Sequence, residues 1–202
     1  MNKVILVGPS KSLLKNKLGK KIDSFDVVCR MNLSGAPIII NEENKPFIGT
    51  KKNIWLCKHL ACFNMFLDPG YDELVGFAQG STMYPMTPEI ISKFSHTVQQ
   101  ASKKGIKTLD SCIQTLKLFN DFISRPSCGI LSIFYLLDRY DKMYICGMDG
   151  FKGGHWYGNK FMNGQDESDK LAVKGIGAHN IFKEREYIDY LVKQNKIKII
   201  DE

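Results

Sequence analysis

"KVILVGPSKSLLKNKLGKKIDSFDVVCRMN", residues 3–32, starts with an apolar run, passes a glycine and a turn of small residues, crosses an amphipathic segment and returns to a second β-branched run. That order of strand, helix and strand opens an α/β unit, with the helix predicted over 10–18 and ended by Gly19. The turn has neither the G-x-G-x-x-G of a dinucleotide site nor the GK[ST] ending of a P-loop. Any anion held there is therefore held by other means.

Working outward, the short apolar runs 53–58, 73–78, 142–147 and 196–200 read as further strands. Helices are predicted over 59–66, over 87–98 behind a Thr87-Pro88-Glu89 start, over 111–123, over 129–137 and over 179–193. A glycine- and asparagine-rich loop occupies 150–165 and a charged segment 166–175. No repeat, low-complexity tract or long linker interrupts the series, so a single domain over 1–202 is expected.

The 202 residues are 44% apolar and 24% charged, the profile of a globular domain. No apolar run reaches the length of a membrane span, and the start leads into a strand instead of a signal-peptide core, so a soluble, cytoplasmic protein without a membrane span is expected. The net charge of +7 points to anionic partners. Lysines spread through helical and turn segments, with no RNA or DNA module signature, favour a phosphate-bearing small ligand over nucleic acid. The six cysteines show no C-x-x-C spacing and several lie in apolar runs, which suits a reducing compartment. None of the four histidines pairs with a cysteine at finger spacing, so no metal site is expected.

Gly8-Pro9-Ser10 lets backbone approach a ligand, and Ser10 can cap a helix or bond a phosphate. Capping alone would account for it. Asn32 follows the second strand, at the edge where open α/β sheets bind ligands. Ser127, Cys128 and Gly129 repeat the device: a small-residue turn that opens an apolar helix and presents N–H groups to an anion. Two such turns suggest a phosphate and a second anionic group bound across one crevice. His155, in "GGHWYGN", and His179, in "GIGAHNIFKERE", titrate near neutrality and can exchange protons with a hydroxyl or a phosphate. Glu184 stands five residues after His179, too far for an i,i+4 pair, and so is expected to anchor the segment. His59 and His96 read as structural.

In order, these pieces resemble glycosyltransferase family 29, the eukaryotic-type sialyltransferases. Residues 4–37 resemble the long sialylmotif through the Gly-x-Ser turn, Leu18-Gly19, Ile22-Asp23-Ser24, Asp26-Val27-Val28, Arg30-Met31-Asn32 and Ala36-Pro37, and Ile48-Gly49-Thr50-Lys51 continues the likeness. Residues 126–148 resemble the short motif. His155-Trp156-Tyr157 is similar to the third motif, and His179-x-x-x-x-Glu184 to the very short one. Pro9 replaces the family's usual asparagine, and Gly158 replaces the acid that closes the third motif. Val4 and Tyr140 stand at the positions of the family's disulfide.

The resemblance implies a three-layer α/β/α, Rossmann-like sheet of the GT-A-like type and an inverting sialyltransferase that uses CMP-sialic acid, a glycan acceptor and no metal or other cofactor. It implies that Gly8, Ser10 and Asn32 hold the cytidine monophosphate. Ser127, Cys128 and Gly129 would hold the sugar's carboxylate through backbone N–H groups. His179 would be the general base, His155 would assist the departing phosphate, and Glu184 would stand behind them. The lack of a stem and of the disulfide positions implies a bacterial or viral, non-Golgi enzyme. Transfer from another CMP-sugar such as CMP-Kdo, a nucleotide-dependent oxidoreductase and a non-catalytic nucleotide-binding protein are the alternatives.

Overall fold

The computed structural model describes residues 2–35, 40–57, 70–77, 99–100, 102–103, 105–109, 126–149 and 180–200. Seven strands form one sheet: β1 (Val4–Val7), β2 (Val27–Met31), β3 (Ile54–Cys57), β4 (Glu73–Phe77), β5 (Lys107–Leu109), β6 (Met143–Cys146) and β7 (Ile197–Ile199). Their spatial order is β5-β4-β3-β2-β1-β6-β7, and every neighbouring pair is parallel. The chain winds outward from β1 in one direction and returns beside β1 to continue in the other. The carboxyl edge between β1 and β6 is consequently the switch point of the sheet.

A parallel sheet needs cover on both faces, which is why its central strands are apolar without alternation. On one face Val4, Leu6, Cys29, Met31, Ile54 and Leu56 pack under α3 (Cys128–Leu137) and α4 (Ile181–Lys193). On the other, Ile5, Val7 and Val28 pack under a 3-10 helix, η1 (Lys11–Lys15), and two short helices, α1 (Gly19–Asp23) and α2 (Lys45–Ile48). The expected three-layer α/β/α architecture is thus present. The helices predicted over 59–66, 87–98 and 111–123, the loop 150–165 and the segment 166–175 lie outside the described residues.

The first crossover departs from the expected helix over 10–18. It is split into η1 and α1, and Gly19 begins the second piece instead of ending the first. The reason is contact with α2. A Cβ on Gly19 would lie 2.1 Å from the Lys45 carbonyl oxygen and 2.9 Å from the Pro46 carbonyl, so only glycine lets α1 lie against α2. Strand β5 and helix α2 carry too little apolar pattern to be read from sequence. Each is placed by the neighbour it pairs with or packs on.

Arg30 lies fully buried on the face under α2. Its guanidinium donates to the carbonyls of Ile48 (2.9 Å) and Lys51 (2.9 and 3.1 Å). Burial pulls its pKa below the usual arginine value, while Tyr71, Cys146 and Asp23 oppose that shift. From the opposite side the Asp23 carboxylate accepts the N–H groups of Thr50 (2.9 Å) and Lys51 (2.8 Å). One cation and one anion therefore hold the turn between α2 and β3.

The Gly19→Ala variant is expected to lose about 1–3 kcal/mol of stability, the usual cost of forcing a methyl into a filled site. Urea denaturation should show a lower midpoint with an unchanged slope. A midpoint equal to that of the parent chain would show that α1 and α2 do not depend on this contact.

Candidate active site

Strand β1 ends in the 8–10 turn, which is fastened to the end of β6. Gly8 donates its N–H to the Cys146 carbonyl (2.8 Å) and Ser10 donates its N–H to the Gly147 carbonyl (2.9 Å). A Cβ on Gly8 would stand 2.3 Å from the Gly147 oxygen, so the two strand ends touch through backbone alone. Gly147 itself has a φ of 64°, the left-handed region where glycine meets no Cβ penalty. Ser10 is buried and its Oγ accepts the Ser12 N–H (3.0 Å), capping η1.

These bonds leave the first turn poor in backbone donors. The N–H groups of Gly8 and Ser10 go to β6, and Pro9 has none. Of the donors that a phosphate could have used, only the Ser10 hydroxyl proton lies within 8–10.

The second turn opens α3. Ser127 caps that helix, its Oγ accepting the Ile130 N–H (3.3 Å), and its own N–H is donated to the Glu184 carboxylate (2.7 Å). The Ser127 N–H, which the family resemblance assigns to the sugar carboxylate, is thus committed within the protein. The Cys128 thiol lies 3.8 Å from the Leu56 carbonyl and 3.9 Å from the Ser132 hydroxyl, facing the core. Cys128 and Gly129 form the first turn of that helix.

Met148 joins the two turns. A Cβ on Gly8 would lie 2.6 Å from its Cγ, and a Cβ on Gly129 would lie 2.7 Å from its Cε, so a single side chain is flanked by both glycines. Sequence reading passed over this methionine. Its position two residues beyond β6, at the carboxyl edge beside the switch point, is the signal that could have found it.

Asn32 leaves β2 at the same edge, since β2 lies beside β1 with Val7 opposite Arg30. It adopts a φ of 48°, a conformation that asparagine tolerates better than most residues. Its carbonyl accepts the indole N–H of the buried Trp55 (2.7 Å), which stacks on Tyr71 with ring centroids 5.4 Å apart. That bond fixes the direction in which the chain leaves β2.

Glu184 sits in the first turn of α4, 5% exposed, behind the Asn180 cap, whose Oδ1 accepts the Lys183 N–H (3.2 Å). Its bond to Ser127 ties the start of α4 to the start of α3. Sequence reading expected Glu184 to anchor a segment, and Ser127 is the anchor point. His179 directly precedes Asn180 in the chain, but His179 and His155 both lie outside the described residues, as do His59 and His96. Among the described residues no group of three histidine, cysteine, aspartate or glutamate side chains could hold a metal ion.

No protein-family model matches the sequence, and no curated protein matches it. Among solved structures the chain is similar to a mammalian sialyltransferase, alone and in complex with Gal-beta-1-3GalNAc-ortho-nitrophenol. Each comparison gives a TM-score of 0.53 at 18% identity, over 99% of this chain and 69% of the other. The shared feature is the fold.

Removing the acceptor with Glu184→Ala leaves the Ser127 N–H without its charged partner, and such a bond is worth about 1.5–3 kcal/mol. We expect a stability loss in that range by urea denaturation, with Glu184→Gln losing less because its amide oxygen still accepts. Equal losses for the two variants would show that an amide oxygen cannot replace the carboxylate, and no loss for Glu184→Ala would show that the bond does not hold α4 to α3.

Proposed function

We propose that the chain is an inverting sialyltransferase-like enzyme, moving sialic acid from CMP-sialic acid to a hydroxyl of a glycan acceptor. The observation that carries this reading is the meeting of the 8–10 and 127–129 turns on Met148, at the switch-point edge of a sheet whose fold is that of a sialyltransferase. The ordered motifs from Gly8 to Glu184 support it.

The chemistry asks little of the protein. The leaving group is a single phosphate, the nucleophile is an alcohol, and the transition state has oxocarbenium character, so a proton acceptor and a positive or proton-donating group near the phosphate suffice. In this reading His179 takes the acceptor's proton and His155 assists the departing phosphate. Asn32 and the Ser10 hydroxyl face the cytidine monophosphate, with Gly8 bringing the end of β1 against the end of β6 beside it. The N–H groups of Cys128 and Gly129 receive the sugar carboxylate at the positive end of α3. Glu184 works indirectly, holding the helix that follows His179 against the turn that receives the carboxylate.

Turnover of CMP-sialic acid against galactose-terminated acceptors, followed by mass spectrometry, tests the reading, with CMP-Kdo in parallel to separate the rival donor. His179→Ala should lower transfer by about 100- to 10,000-fold, the usual cost of losing a general base, while CMP affinity stays nearly intact. Near-normal transfer by the folded variant would end the assignment.

Transfer should also survive EDTA, because the sequence contains no D-x-D motif. Loss of activity on chelation, restored by a divalent ion, would point to a different mechanism.

A further inference from the structure

Residues 1–22 contain six lysines and no aspartate, glutamate, arginine, histidine or aromatic residue, so this short stretch carries nearly all of the net charge of +7. The structure turns that composition into a surface. Leu13, Leu18 and Ile22 are buried against the sheet, which anchors η1 and α1 by their inner sides. Lys11, Lys15, Lys17, Lys20 and Lys21 are left exposed within eleven residues, with Leu14 among them at 37% exposure. Lys15, Lys17 and Lys20 make no ion pair among the described residues. The nearest acid in sequence, Asp23, is occupied by the Thr50 and Lys51 N–H groups.

The opposite layer differs. Along α3, α4 and their ends, exposed Asp138, Asp141, Glu186 and Asp189 alternate with Arg139, Lys142, Lys183, Lys193 and Lys196. The excess positive charge is therefore concentrated in the η1–α1 segment, while Asp26, Glu42 and Glu43 offset the bases that follow it in sequence.

We propose that the face formed by η1 and α1 docks the protein on an anionic lipid surface. Composition selects this partner over nucleic acid. Reading bases favours planar guanidinium forks, and binding single strands takes stacking rings; residues 1–22 hold neither an arginine nor an aromatic residue, and their amides are limited to Asn2 and Asn16. Lysines are point charges on flexible stems, suited to a fluid array of phosphate and carboxylate headgroups. Leu14 adds apolar contact at the interface. No helix among the described residues is long and apolar enough to cross a membrane; the attachment proposed here is peripheral and set by the charge of this face. Lys11 follows the Ser10 cap directly, so docking brings the carboxyl edge of β1 close to the headgroups. The inference stands on this surface alone and does not depend on the reaction assigned to the site.

The test is sedimentation of the full chain with vesicles of phosphatidylcholine alone or with about one third phosphatidylserine, at low and high salt. The chain should bind only the phosphatidylserine vesicles, and release at high salt. The triple variant Lys15→Glu, Lys17→Glu, Lys20→Glu should bind at least about 100-fold more weakly, at roughly fivefold per lysine. A neutral Lys→Gln triple at the same positions serves if the charge reversal does not fold. The control Lys142→Glu, Lys193→Glu, Lys196→Glu, on the opposite layer, should keep most of the binding. Failure to bind phosphatidylserine vesicles at low salt, or equal losses in both triples, would overturn the proposal. So would tighter binding of a single-stranded oligonucleotide than of vesicles through the same three lysines.

Discussion

The contact between Gly8 and Gly147 is the constraint on which the site depends. Two strand ends approach so closely that a single Cβ would collide with a carbonyl oxygen, and the N–H groups of Gly8 and Ser10 close the gap with bonds of 2.8 and 2.9 Å to the Cys146 and Gly147 carbonyls. Because β1 and β6 are neighbours across the switch point, this contact fixes the two strand ends against each other at the carboxyl edge. Met148, two residues beyond β6, then reaches from the first turn to the start of α3. Side-chain packing, rather than a bond between the turns, sets their spacing.

Much of the fold was legible because its strands are buried on both faces and so read as continuous apolar runs. β1, β2, β3, β4, β6 and β7 all fall within the expected segments, trimmed at their ends. The first crossover was misread because Gly19 is a helix stop by propensity and a contact point by packing. Only the position of Lys45 and Pro46 decides between the two. In the site, the capping roles of Ser10 and Ser127 could be read from local spacing. The bond from Ser127 to Glu184 spans 57 residues and the Met148 contact joins three segments, so neither leaves a local pattern.

Several polar residues that give the first 51 residues their likeness to the long motif serve the backbone. Arg30 holds the carbonyls of Ile48 and Lys51, and Asp23 holds the N–H groups of Thr50 and Lys51. Asp26 accepts the Lys3 N–H at 2.7 Å. Arg30 is buried at the cost of desolvation, so its removal would expose unpaired carbonyls in the interior as well as delete a charge. These residues close the β1–β2–β3 unit.

The two small-residue turns differ in the backbone donors they keep. In 8–10 the backbone donors are spent on β6 or absent at Pro9, and η1 is too short to present a strong helix end. In 127–129 the Ser127 N–H is taken by Glu184, while Cys128 and Gly129 open a ten-residue helix whose dipole favours negative charge. The first turn is thus tied into β1 and β6 and keeps the Ser10 hydroxyl proton as its donor, whereas the second opens the longer helix, so the two turns are not equivalent despite their similar sequences.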